Sequence, residues 1–202
     1  MKGQDLLLLL KLVSLSRQEA SPFAVRESAL ARAPLAAAAA PETGQDPYSV
    51  RALEESTGIS KSEVSGGLRR CQENGLLKAG RQSGRPQVNT RGLFEFLAHG
   101  VRYVFPARPG PLVRGLPTAH AAPVLADRLL SAGEHIYVWE DAEGSQLGQR
   151  IEPLFRSVPL AARRDPELYA LLALVDAIRL GQPREAGLAR DLLEQHLRGK
   201  AA

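Results

Sequence analysis

The chain has 202 residues, 44% hydrophobic and 24% charged, a globular balance that excludes a disordered or collagen-like polymer and leaves room for one medium or two small domains. Its single cysteine, Cys71, rules out an intramolecular disulfide and a multi-cysteine zinc site, and an aromatic content of 5% argues against a sheet of stacking platforms for single-stranded nucleic acid. The formal net charge is +4, and residues 51–91 hold eight Lys and Arg against four Asp and Glu, so the excess lies in one stretch, as a polyanion-binding patch would place it.

In chain order, Lys2 and the run Leu6–Leu10 imitate a secretory leader, but Asp5 spoils the basic start and Lys11 ends the apolar core after five leucines. A buried helix over 4–16 fits better, with polar Asp5, Lys11 and Ser14 leaving a broad leucine face. No stretch approaches the ~20 apolar residues of a membrane span, so no membrane partner and a cytoplasmic location are expected. Residues 17–47, punctuated by Pro22, Pro34, Pro41 and Pro47, read as an insertion.

From Tyr48 the pattern becomes regular. It predicts helices over 49–57 and 60–74, strands over 76–80 and 87–90, and a helix over 91–103. The proline-rich stretch 105–122 reads as a linker or extended arm. Beyond it come a short helix over 123–132, a strand at 135–139 and its hairpin partner at 146–151. Asp165-Pro166 then supplies an N-cap and first-turn proline for a helix that Gly181 ends, and a last helix spans 183–198. The expected fold is therefore α+β and mainly helical. An N-terminal unit over 1–104 is expected to precede a smaller α+β unit over 123–202 that ends in two helices.

The informative segment is 49–90. Thr57-Gly58-Ile59 places a glycine at a sharp turn, with Ile59 plugging the angle between two helices. Ser60-Lys61-Ser62-Glu63 reads as a capping box that starts the second helix. On that helix Val64, Leu68 and Cys71 recur at buried spacing. Ser60, Lys61, Ser62, Ser65, Gly66, Arg69 and Arg70 are left for solvent or a ligand. They are small, hydrogen-bonding or cationic, which suits a helix entering a major groove: Ser62, Ser65 and Arg69 toward base edges, Lys61 and Arg70 toward phosphate. The Gly66-Gly67 pair costs helix stability and signals a close backbone approach, to DNA or within the protein. Two strands then flank a tip holding Arg81, Ser83 and Arg85, a hairpin suited to the backbone or minor groove.

Tyr48–Leu53, Gly58–Ser65, Leu68-Arg69-Arg70 and Glu73–Leu77 together resemble winged helix-turn-helix transcriptional regulators, with MarR-type bacterial regulators the nearest comparison. The resemblance covers about residues 48–92, with 4–16 as the first helix. It implies a homodimer on double-stranded DNA, one recognition helix per half-site. Leucine is usual in that family where Cys71 stands. The insertion and the stretch after the hairpin depart from the family pattern.

The competing readings are plain. A helix-turn-helix can serve protein contacts alone, and an adaptor or antitoxin-like protein that binds a partner protein through 123–202 is the second reading, with DNA binding then autoregulatory or absent. Cys71 falls on an apolar face and reads as core. His99, His120, His135 and His196 have no metal-ligand spacing. No nucleophile with a base, phosphate loop or carboxylate pair stands out, so neither an enzyme nor a cofactor is expected.

Overall fold

The computed structural model describes residues 1–20, 46–80, 84–126, 128 and 135–198. The protein is α+β and mainly helical with two small sheets. In order these are α1 (Gly3–Ala20), α2 (Val50–Thr57), α3 (Lys61–Glu73), β1 (Leu77–Ala79), β2 (Pro86–Val88), α4 (Thr90–His99), α5 (Val101–Val104) and β3 (Leu112–Thr118). A single 3-10 turn, α6 (Pro123–Ala126), β4 (Tyr137–Glu140), β5 (Gln146–Arg150), α7 (Val158–Arg164), α8 (Pro166–Leu180) and α9 (Pro183–Arg198) complete the chain.

Two helices form the centre. Every residue of α1 from Gln4 to Leu15 is buried, because α2, α3, β2 and α8 all pack on it. Each leucine removed from water there contributes about 1.5–3 kcal/mol. The expected polar side is absent: Asp5, Lys11 and Ser14 are buried along with the leucines. Each is matched, as a buried polar group must be. Lys11 Nζ donates to Asp165 Oδ2 at 2.8 Å and Ser14 Oγ donates to the same oxygen at 2.7 Å, while Asp5 meets Arg70.

α8 is the second centre, gathering α1, α4, α5, α6, α7, α9 and β3. Asp165 caps it, accepting from the Leu168 amide at 3.0 Å, and Gly181 ends it at φ 76°. Buried apolar side chains from Leu6 to Leu197 belong to one cluster, on both sides of the proline-rich stretch.

Four expectations change. The stretch 105–122, expected as a linker or extended arm, pairs into the second sheet through a strand, β3. The helix over 91–103 breaks at Gly100 into α4 and α5; the Phe96 ring already stands 3.2 Å from where a side chain there would begin. The helix expected over 123–132 is seen as α6, with 127 and 129–134 outside the described residues. The insertion expected to begin at 17 does not, since α1 continues to Ala20; 21–45 lie outside the described residues.

The second sheet also departs from the expected hairpin. β4 and β5 run parallel where they touch, Tyr137 opposite Gln149, and both pair antiparallel with β3 to close a three-stranded barrel. Gly115 is the reason. It sits opposite Glu140 of β4 and Gln146 of β5, so the two halves of β3 take different partners. A Cβ there would strike the Trp139 carbonyl oxygen.

A polar knot fastens this barrel to α8. Asp176, fully buried, accepts from Trp139 Nε1 at 2.6 Å, Thr118 Oγ1 at 3.0 Å and Arg179 Nη1 at 2.6 Å. Arg179 donates onward to the carbonyls of Phe105 at 2.7 Å and Glu152 at 3.1 Å. Burial pushes the Asp176 carboxyl above its usual range, against the pull of Arg179 and its other donors. Beside the knot, His120 is buried edge-on to Tyr137 at 4.9 Å, with neither ring nitrogen hydrogen-bonded.

Candidate nucleic-acid interface

Ser49 caps α2 by accepting from the Ala52 amide at 3.2 Å. The helix ends where Gly58 turns left-handed at φ 68°. Thr57 Oγ1 donates to the Leu53 carbonyl at 2.5 Å and accepts from the Ile59 amide at 3.3 Å, so the turn is bonded internally. Ile59 is buried between the two helices, as its place in the turn implies. From outside, Ser157 Oγ donates to the Thr57 carbonyl at 2.6 Å, and Arg164 donates to that of Glu55. α7 thus braces the turn from the C-terminal half.

α3 is seated on α1 by Val64, Gly67 and Cys71, all buried. Leu68, expected on that face, is half-buried and packs against the core, and Gly67 joins the buried side. A Cβ on Gly67 would stand 2.7 Å from Leu8 Cδ1 and 3.1 Å from Asp5 Oδ1, so this glycine serves helix packing. Gly66 is different: only the Arg70 guanidinium lies near its Cβ position, at 3.2 Å. Burial pushes the Cys71 thiol up to about 12, which keeps it protonated and inert.

The capping box is not formed. Ser60 occupies the N-cap position without a side-chain bond to the helix backbone, its hydroxyl 3.4 Å from that of Ser62, and Glu63 turns the other way, accepting from Gln4 Nε2 and Lys2 Nζ. These donors, Gln4 first, hold the Glu63 carboxyl below its usual range. Arg70, assigned above to phosphate, is likewise taken: its Nε and Nη2 donate to Asp5 at 3.0 and 2.6 Å.

What α3 leaves outward is Lys61, Ser62, Ser65, Arg69, Gln72 and the acidic Glu73, all exposed, with Ser60 exposed at the helix start. Lys61 and Arg69 make only loose exposed pairs, with Glu54 at 3.7 Å and Glu73 at 3.8 Å. The stripe has hydrogen-bonding and cationic groups, one carboxylate at Glu73 and no bulky apolar residue. Gln72 was missed in the sequence reading, although it follows Arg69 by three residues and Ser65 by seven, the spacing of one helical face.

The hairpin stands beside it. Leu77 faces Val88, Lys78 faces Gln87 and Ala79 faces Pro86 in antiparallel register, with Leu77 buried. Arg81 and Ser83 lie outside the described residues. Arg85 is described, and it reaches back to the body of the protein: Nη1 donates to Glu19 Oε1 at 2.9 Å. An open groove of about 820 Å³ is lined jointly by the hairpin, α1 and the end of α9, through Leu12, Val13, Val88 and Leu197 among others. No residue of α3 lines it.

Among the described residues no cluster of three or more His, Cys, Asp or Glu suits a metal ion, and no helix is long and apolar enough to cross a membrane. Comparison with family models, with curated proteins and with solved structures gives no significant match to this chain.

Proposed function

We propose that this protein is a sequence-specific regulator of transcription that binds double-stranded DNA, with α3 in the major groove and the β1–β2 hairpin along the adjacent backbone. One observation carries the reading: Ser62, Ser65, Arg69 and Gln72 are exposed along one face of a helix whose opposite face is locked onto α1. A rigid helix with small donors and an arginine facing outward is what base-edge recognition needs. Ser62 and Ser65 keep bulk away from the duplex, Arg69 and Gln72 reach guanine and adenine edges, and Lys61 meets phosphate. Arg70 has no share in it, since Asp5 holds it. Two copies, one per half-site, complete the operator complex.

The test is fluorescence anisotropy of the native protein on duplex from its own upstream region and on scrambled duplex, between about 50 and 200 mM salt. The expected result is tighter binding to the upstream duplex and an affinity that falls steeply with salt. Equal weak binding to both duplexes rejects a sequence-specific regulator. A second reading, an adaptor for a partner protein, is favoured by exposed Leu112 and Leu147 of the barrel, 48% and 67% accessible. They lie on the same face of β3 and β5: Leu147 stands opposite Arg114, and Leu112 two residues before it. A pull-down that depends on these leucines, with no retardation of duplex, would establish it.

A further inference from the structure

The hairpin's Arg85 is held by groups from outside the hairpin. Besides its 2.9 Å bond to Glu19, its Nη2 lies 3.8 Å from Asp46 Oδ1, and its guanidinium carbon sits 5.0 Å from the centre of the Tyr48 ring. The Tyr48 hydroxyl donates to the second Glu19 oxygen at 3.1 Å, which orients that carboxylate. Glu19 closes α1 and Asp46 precedes α2, so three groups of the body converge on one side chain of the strand pair. A planar guanidinium held by carboxylate on its edge and an aromatic ring on its face has the surroundings of a bound arginine.

We propose that Glu19 and Asp46 are internal competitors of DNA phosphate for Arg85, an autoinhibitory contact that withholds one backbone contact from the complex. The inference rests on the DNA-binding reading and adds its regulation. Carboxylate and phosphate are alternative anions for the same fork of donors, and Arg85 serves one at a time. Both carboxylates are about half exposed, 48% for Glu19 and 52% for Asp46, so the capture is weak enough to be undone at the surface. While it lasts, the hairpin is tied to α1, and the affinity for duplex stays below what the exposed cations allow.

The count of phosphate contacts is read from the salt dependence of binding, about 0.9 in the slope of log K against log salt per contact. The experiment compares four proteins on the upstream duplex by anisotropy: native, Glu19→Gln with Asp46→Asn, Arg85→Ala, and all three substitutions together. Capture predicts that neutralising the two carboxylates steepens the slope by about 0.9 and tightens binding several-fold at low salt. It also predicts that the gain needs Arg85: the protein with all three substitutions has the slope and affinity of Arg85→Ala alone. An unchanged slope in the neutralised protein overturns the capture and leaves the DNA reading standing. A gain that persists without Arg85 is a general charge effect and overturns it as well. If the native protein binds neither upstream nor scrambled duplex at low salt, the DNA reading falls and the capture with it.

Discussion

Arg70 grips Asp5 with two donors, Nε at 3.0 Å and Nη2 at 2.6 Å, and the carboxylate it grips is wholly buried in the first turn of the leucine helix. An arginine that reads in sequence as a phosphate ligand is thereby an internal strut between α3 and α1. Its neighbour Arg69 points the other way. Arg70→Ala strands a buried carboxylate and should cost about 3 kcal/mol in urea unfolding. Arg69→Ala should leave the unfolding midpoint alone and weaken binding to the upstream duplex. A variant pair with the opposite pattern would exchange the roles assigned to the two arginines.

The two adjacent glycines of α3 separate in the same way. Gly67→Ala drives a methyl group against Leu8 and Asp5 and should destabilise by about 1–3 kcal/mol, as overpacking does. Gly66→Ala meets only a flexible guanidinium end and gains helix propensity, so a stabilisation of about 0.5–1 kcal/mol is expected. Thermal unfolding of the two single variants decides this, and equal effects would contradict the packing role.

Gln72 tests whether the stripe on α3 reads sequence. Gln72→Ala should leave folding untouched and relax discrimination at one operator position by about 1–3 kcal/mol. The salt slope should stay as in the native protein, because an amide neutralises no phosphate. A uniform loss on upstream and scrambled duplex alike would mean that this residue does not read bases.

Alkaline pH should unfold the protein from within. Burial raises the Cys71 thiol from 9.0 to about 12, and burial with Glu19 raises the Tyr48 hydroxyl from 10.0 to about 12. In the unfolded chain these groups ionise first, so the unfolded state holds fewer protons than the folded state above pH 9. Stability is then fully present below pH 9 and is lost progressively toward pH 12. Urea midpoints across this range should fall, and less steeply in Cys71→Ala. The native thiol should also resist a disulfide reagent at pH 8 and react once urea unfolds the chain.

Much of the element order could be read in the sequence because it is written in local chemistry. Ser49, Gly58 and Asp165-Pro166 mark helix ends by their own caps and turns, and each stands where its chemistry puts it. Several of the errors share one cause, which is that the deciding partner is distant in the chain. Glu63 leaves its cap for Gln4, 59 residues away, and Lys11 is buried because Asp165 awaits it 154 residues on. β5 pairs with β3 because Gly115 lets one strand serve two partners, which no window around Gln146 discloses. At the candidate interface, Lys61, Ser62, Ser65 and Arg69 follow from helical period alone. Arg70 and Arg85 do not, since their counter-ions lie on α1.

The 154 residues between Lys11 and Asp165 also set a clock for synthesis. α1 leaves the ribosome long before α8, the helix that closes over it, has been made. At about 5–20 residues per second the delay is roughly 8–30 s. Throughout that interval Leu6–Leu10 have no helix from the C-terminal half to cover them, and the nascent chain displays one of its most adhesive segments. Until then only α2, α3 and β2 can cover part of it, and codon changes that slow elongation before Asp165 should lower the soluble yield without altering a single residue.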